Sequence, residues 1–294
     1  MDIKKYQVKT GQKVNLKNYP TSIDDQMNKK ETKKRLMPDN LEQMRELQDR
    51  LYAEDKYGVV MVLQAMDAAG KDGAIKHVMT ALNPQGTKVT SFKVPTRIEM
   101  NHDYLWRISK ALPARGEIGI FNRSHYEDVI VTKVHDNVDH GKIPEKLITE
   151  DIWTKRYGQI NNFEKYLVEN GFKFIKIFLH LSKDEQKDRL LSRINNPDKN
   201  WKFSKSDIYE RAYWEEYQNA YEEMLENTST KEAPWYVVPA DRKWFSRYLI
   251  SEIVLNVLQE INPQYPSLNQ EDLANLEQWK VILEKEEENT LRKD

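Results

Sequence analysis

GVVMVLQAMDAAGKDGAIKHV, residues 58–78, decides the fold. Residues 58–66 are almost continuously apolar and rich in valine, which reads as a strand buried on both faces. AMDAAGKDG (65–73) interrupts it, and helical spacing follows over about 72–82. A strand that passes through a loop of small residues into a helix presents backbone amides, and the positive end of the helix dipole, to an anion. The spacing Ala65-x-x-x-x-Gly70-Lys71-Asp72 parallels the phosphate-loop pattern G-x-x-x-x-G-K-[ST]. Ala68, Ala69, Gly70 and Gly73 let the main chain approach phosphates, and Lys71 brings a mobile positive charge. Two positions depart from the pattern. Ala65 replaces the first glycine and is expected to resist a positive φ. Asp72 replaces the hydroxyl residue that would touch magnesium, so Asp67, and Asp72 with it, are the carboxylates to take over the metal. The competing reading is a glycine-containing βα turn with a surface lysine. The buried strand before the loop and the helix after it favour the anion site.

Working outward, further strands are expected at 87–94, 117–122, 173–181 and 235–239. Helices are expected at about 40–56, 99–111, 124–134, 148–169, 183–195, 205–226 and 243–261. Strands alternating with helices predict an α/β fold, an open parallel sheet covered on both faces. The helical pair over 183–226 is too long for one crossover and reads as an excursion over the strand ends. Residues 1–39 form an N-terminal arm laid over the surface, 40–262 the main body, and 263–294 a tail with a charged helix at 271–288. Thr96…Glu99, Ser124…Glu127, Ser182…Glu185 and Ser204…Asp207 fit capping boxes.

Composition narrows the function. The 294 residues carry 46 basic and 47 acidic side chains, so a general nucleic-acid binder, which needs a basic excess, is disfavoured. Without cysteine, disulfides, thiol catalysis and cysteine-based zinc sites are excluded. No apolar run reaches the length of a membrane helix, and MDIKKYQVKTGQK lacks the apolar core of a signal peptide. The expected setting is cytoplasmic.

EIGIFNRSHYED (117–128) is a second buried strand running into a helix. Ligands of parallel sheets gather at the carboxyl ends of strands, which puts Asn122, Arg123 and Ser124 beside the phosphate loop. The planar donors of Arg123 suit a transferring phosphoryl group. Ser124 with Glu127 has a purely structural alternative, the capping box, and Asn122 can equally be structural. The histidines, His135 and His140 among them, show no metal-ligand spacing.

Together these segments resemble the polyphosphate kinase 2 family. They are AMDAAGKDG (65–73), SFKVPTRIEMNHDYLWR (91–107), RGEIGIFNRSHYEDV (115–129), NNPDKNWKFSKSD (195–207) with Arg211 and Trp214, and PWYVVPADRKW (234–244). The resemblance implies a P-loop kinase-like three-layer fold, with a central five-stranded parallel sheet and a helical lid at about 183–226. It implies magnesium-dependent, reversible phosphoryl transfer between inorganic polyphosphate and AMP, ADP or ATP, with GMP and GDP as further acceptors, in a dimeric or tetrameric homo-oligomer. By that resemblance Asp67, Lys71, Arg123 and Arg193 belong to the transfer centre. Ala68, Ala69, Gly70, Asp72, Gly73, Lys93, Arg107, Asn122, Ser124 and Arg189 bind phosphate or nucleotide, and Asp67, Asn122 and Glu127 hold the metal. Asn122 stands where many members carry aspartate, and FNRSHYED is similar to the subgroup accepting both AMP and ADP. That change moves part of the magnesium shell to Glu127 or Asp128. A long polyanion needs a basic track, for which Lys76, His77, Lys88, Lys93, Arg97, Arg107, Lys110 and Arg115 are the candidates. An ATP-dependent nucleotide kinase and a non-catalytic phosphate-sensing module are the alternatives.

Overall fold

Five runs of sequence pair side by side into one parallel sheet: β1 (Gly58–Ala65), β2 (Thr87–Ser91), β3 (Ile118–Asn122), β4 (Phe172–His180) and β5 (Trp235–Pro239), in the order β2-β3-β1-β4-β5. The computed structural model describes residues 1–23, 27–138 and 143–285. Its main helices are α1 (Met37–Glu54), α2 (Lys71–Val78), α3 (Trp106–Ala111), α4 (Glu127–Val134) and α5 (Ile152–Glu169). They continue with α6 (Lys183–Asn195), α7 (Lys205–Glu210), α8 (Trp214–Thr228), α9 (Lys243–Ile261) and α10 (Gln270–Lys285).

The valine-rich run sorts its side chains by the period of two of a strand. Val59, Met61 and Leu63 pack with Met44 and Leu51 of α1, Ala74 and Val78 of α2 and Leu249 and Ile253 of α9. Val60 and Val62 face the opposite layer, with Ile108 of α3, Val129 of α4, Ile160 of α5 and Met224 of α8. The result is the expected three-layer α/β arrangement. β1 lies between β3 and β4, with Leu63 level with Asn122 and Ala65 level with Leu179. The chain leaves β1 toward β2 on one side and leaves its neighbour β4 toward β5 on the other, which opens a crevice at the carboxyl ends of these strands. The loop after β1, the turn after β3 and the start of α6 all converge there.

Several boundaries differ from the sequence reading. α1 starts at Met37, and Asn40 is a buried helical residue whose Nδ2 donates to Ser251 Oγ (3.1 Å) and Glu252 Oε1 (2.7 Å). The expected helix 99–111 is a 3-10 turn, Glu99–Asn101, followed by α3, because Asp103 Oδ1 accepts from the amide of Leu105 and restarts the chain. The excursion over the strand ends is α6, a 3-10 segment Pro197–Lys202, α7, a second 3-10 segment Arg211–Tyr213, and α8. Of the four capping boxes only Thr96…Glu99 is reciprocal. Ser182 caps the amide of Glu185, but the Glu185 carboxylate turns to Arg189; Ser204 faces Ser206, while Asp207 turns to Arg193. In both cases a charge-assisted bond to arginine wins over a neutral amide.

The arm does more than lie on the surface. Ile3, Tyr6, Val8, Val14 and Leu16 are buried, Gln7 bridges Tyr236 antiparallel, and the Val8 amide donates to Trp235 O (2.9 Å). It thereby covers the otherwise open edge of β5. His140 and the residues after Lys285 lie outside the described residues. Among those described, no helix is long and apolar enough to cross a membrane.

Candidate active site

Ala65 is still paired in β1, so it needs no positive φ, and the restriction expected there does not arise. The left-handed turns fall further on, at Ala68 (φ 63°) and Gly70 (φ 105°). Gly70 precedes α2, whose first turn carries no side-chain cap. Its amides are therefore left to meet an anion. Lys71 folds back across the loop and donates Nζ to Ala65 O (2.8 Å) and Met66 O (3.4 Å). Burial pushes the ammonium below the ordinary lysine range and Arg123 adds to that, while Asp67, Glu127 and Asp72 oppose it.

Arg123 itself has a left-handed backbone (φ 65°), held by its amide on Leu63 O at 3.1 Å. Its guanidinium sits between two carboxylates, Asp67 Oδ1 (2.8 Å) and Glu127 Oε2 (3.2 Å). Glu127 first, then Asp67, hold it firmly protonated. Asn122 donates Nδ2 to Asp72 Oδ1 (2.8 Å) and so ties the end of β3 to the first turn of α2. Ser124 is fully buried. Its Oγ accepts from the Tyr126 amide (3.3 Å), and the expected capping box does not form. The buried Gln64 amide spans this turn, donating to Glu127 Oε1 (2.8 Å) and accepting from Ser124.

The lid reaches the loop through α6. Gln186 Nε2 donates to Asp67 O (3.1 Å) and is itself held by Arg211 (2.7 Å). Arg189 belongs to no solvated face. It is buried, and its donors go to Glu185 Oε1, Ala68 O, Ala69 O, Ala240 O and Asp241 O. Those bonds engage its donors with the lid helix, the phosphate loop and the turn after β5. Arg193, one turn on, pairs with Asp207 Oδ2 at 2.6 Å and faces the cleft.

The cleft above the loop has a volume of about 720 Å³. Lys71, Lys93, Arg123, Arg189, Arg193, Lys199, Lys202, Lys243 and Arg247 line it, against Asp67, Asp72, Glu185 and Asp188. Lys199, Lys202, Lys243 and Arg247 were missed by sequence reasoning; the spacing of four between Lys243 and Arg247 on α9 was the available signal. Conversely, the track expected over 76–115 does not assemble. Only Lys93 of that set reaches the cleft. Arg115 donates to Lys56 O at the far, amino-terminal end of the sheet, Lys110 lies over the Trp106 ring, and Lys88 is on the edge strand. Arg107 is buried against Lys93 O (2.8 Å), Asp128 and the Phe92 ring. It borders a second pocket of about 360 Å³, floored by Phe92, Val94, Pro95 and Val131, which shares Lys93 and Arg123 with the basic cleft.

No group of three or more acidic or histidine side chains able to hold a metal occurs among the described residues. Asp67 and Asp72 at the cleft suit a cation that binds through one or two carboxylates, water and substrate phosphates, as magnesium does. Asn122 is turned to Asp72, and Glu127, like Asp67, pairs with Arg123.

A phosphate loop, an arginine between carboxylates and a helical lid on a five-stranded parallel sheet define a P-loop kinase-type phosphotransferase. The family described as Polyphosphate kinase 2 (PPK2) matches residues 26–266, and the chain belongs to that family. It is 44% identical over 265 residues to an ADP-polyphosphate phosphotransferase of Rhodopseudomonas palustris, covering 90% of this chain and 92% of the relative. It is 47% identical over 223 residues to an AMP/ADP-polyphosphate phosphotransferase of Meiothermus ruber, covering 76% and 80%. The crystal structure of polyphosphate kinase 2 from Arthrobacter aurescens superimposes with a TM-score of 0.80 at 36% identity, over 95% of this chain and 98% of that one.

Proposed function

We propose that the protein transfers phosphoryl groups between inorganic polyphosphate and AMP or ADP. The observation that carries this reading is the meeting of two unlike pockets at Arg123. One is the larger basic cleft, suited to a polyanion, and the other is smaller, with an apolar floor suited to a nucleoside. An oxygen of the acceptor's terminal phosphate attacks the end phosphorus of the polyphosphate. A P–O bond forms, the bridging P–O bond breaks, and the shortened polyphosphate leaves as the anion. A phosphoanhydride replaces a phosphoanhydride, so the reaction runs near equilibrium in either direction.

This chemistry asks for alignment and charge neutralisation more than for covalent participation. The first-turn amides of α2 cradle the donor, and Lys71 and Arg123 offset charge on the transferring group. Arg193 adds a third charge when it exchanges Asp207 for phosphate. The lid excludes water, the competing acceptor. Asp67 and Asp72 would hold magnesium, which would supply neutralisation of the phosphate charge. A transferase body at 40–262 with its lid at 183–226, a cytoplasmic setting, a dimeric or tetrameric assembly and use of GMP or GDP belong to the same proposal.

Purified protein with magnesium, polyphosphate and AMP or ADP should form ADP and ATP. Turnover only with ATP as donor would replace this reading with an ordinary nucleotide kinase, and transfer from no donor would point to a binding module.

A further inference from the structure

Behind the site lies a charged group that the chemistry above does not use. Lys176 of β4 points into the α3–α4–α5–α8 layer and is fully buried, as is Glu164 of α5. Its ammonium donates three hydrogen bonds, each to a different part of the fold: Glu164 Oε2 (2.7 Å), Tyr126 Oη (3.0 Å) and Thr228 O (2.7 Å). Tyr126 in turn donates to Glu164 Oε1 (2.7 Å). Tyr126 is the third residue after Arg123, and Thr228 is the last residue of α8, where the lid returns to β5. Trp235 Nε1 grips the Thr228 hydroxyl at 2.9 Å and its ring meets that of Tyr126 edge-on.

A buried ion pair is a poor source of stability, because desolvation offsets its attraction and an apolar replacement often does as well. Its best-attested use is to specify an arrangement. Two observations say which arrangement. Arg123 keeps a left-handed backbone, a conformation that persists in a bulky residue only when its surroundings over-determine it. Beside the Gln64 amide on Ser124 and Glu127, the segment after it is pinned from inside by the Tyr126 hydroxyl, held from both sides by Glu164 and Lys176.

We infer that Lys176, Glu164 and Tyr126 are positioning residues, a buried link that sets Arg123 relative to the root of the lid. The link touches no substrate. It acts by fixing the turn 123–127 against the end of α8, so that arginine and lid meet the transferring group in register.

This rests on the transferase reading, so the test has two arms. Tyr126→Phe removes only the hydroxyl, and Lys176→Met/Glu164→Gln removes both charges together. For each variant kcat and both KM values are measured, with the folded fraction established by thermal unfolding. Backbone hydrogen exchange over 123–127 is followed against that of α9. In Tyr126→Phe, kcat is expected to fall about tenfold while the KM values for nucleotide and polyphosphate stay within about twofold. Exchange at 123–127 should quicken about tenfold with α9 unchanged. Combining the substitutions should cost no more than the larger single loss, because they cut the same link. A folded Tyr126→Phe variant with wild-type kcat, or one whose lowered stability leaves exchange at 123–127 unchanged, overturns the inference. If the double variant fails to fold, Tyr126→Phe decides alone. A wild type that transfers nothing from polyphosphate would sink the functional reading, and the exchange arm would still decide whether the link exists.

Discussion

Arg189 Nη1 donates to Ala69 O at 2.7 Å, and its Nη2 donates to Ala240 O at 2.6 Å. One buried side chain on the first lid helix thus binds the phosphate loop to the turn after β5. Ala68, whose carbonyl also receives Nη1 (3.2 Å), carries the left-handed backbone that a non-glycine residue adopts at a cost of about 1–2 kcal/mol. The arginine holds the loop in the shape that aims its amides. Its neighbour Arg193, half-buried and paired with a single carboxylate, is the one placed to leave for a substrate.

The two arginines should therefore fail in different ways. Arg189→Ala leaves buried carbonyls without a donor and should lower the unfolding free energy by about 3 kcal/mol or more, with activity lost alongside. Arg193→Ala should shift the melting temperature little and reduce kcat by roughly 10². Thermal unfolding and turnover on the same samples check both. A stable, inactive Arg189→Ala would return that residue to the phosphates.

Lys71 gives a pH dependence with a definite sign. Burial, reinforced by Arg123, lowers its pKa from the ordinary 10.5, so in the free enzyme the positive charge is lost at a lower pH than for a solvated lysine. The alkaline limb of kcat/KM should begin correspondingly early, and Lys71→Arg should abolish that limb at reduced activity. Because the folded-state pKa is depressed, the charged lysine costs stability at neutral pH, and any stability from the neutral form is lost as pH falls through the folded-state pKa. Lys71→Met should thus keep or raise the melting temperature at pH 7 while turnover falls roughly 10²–10³-fold. A pronounced loss of stability would give the lysine a structural role instead.

What the sequence made legible follows the range of the forces involved. The strand–loop–helix at 58–78 is local: continuous valine and methionine can satisfy only a strand buried on both faces, and Gly70-Lys71 falls where that strand must turn. Asp67, Lys71 and Arg123, read from that pattern and the next strand end, are brought together. Ser124 was placed by its position at a strand end and Arg189 by the resemblance, and neither says whether a donor faces solvent or a buried carbonyl. The basic track failed for a related reason. Proximity along 76–115 spreads residues over both ends of the sheet, whereas Lys199, Lys202, Lys243 and Arg247 converge only once the lid and α9 are packed. The Lys176–Glu164 link left no readable signal, since a lysine inside KFIKIFLH reads as an edge or surface position until β4 is seen between β1 and β5.

Asn122 offers a test of the metal. Its amide donates to Asp72 at 2.8 Å, so Asn122→Asp would set two carboxylates face to face. Without a cation one must take up a proton or the pair must separate. The variant should melt lower than wild type in the presence of a chelator. It should also gain more from added magnesium, because ligand binding to the folded state adds stability by mass action. Melting temperatures with chelator and with magnesium, for both proteins, decide it. Equal magnesium shifts would place the cation away from Asp72.

The loop's own backbone makes the last prediction. Ala68 and Gly70 both sit at positive φ, 63° and 105°, but only one is a glycine. Ala68→Gly removes a left-handed strain of about 1–2 kcal/mol and adds an unfolded-state entropy cost of about 0.5–1 kcal/mol. The net should be near neutral to about 1 kcal/mol stabilising. Gly70→Ala has the reverse effect. An added Cβ would meet nothing closer than Arg189 Nη1 at 3.6 Å, so there is room, and the penalty is the backbone alone. At φ 105° the alanine should relax toward a smaller φ and swing the first amides of α2 away from the cleft. Polyphosphate KM should therefore rise together with a stability loss of about 1–2 kcal/mol. Comparing the two variants by denaturant unfolding and by KM separates the loop's strain from its aim. If Gly70→Ala lost stability but kept its KM, those amides would not be what binds the donor.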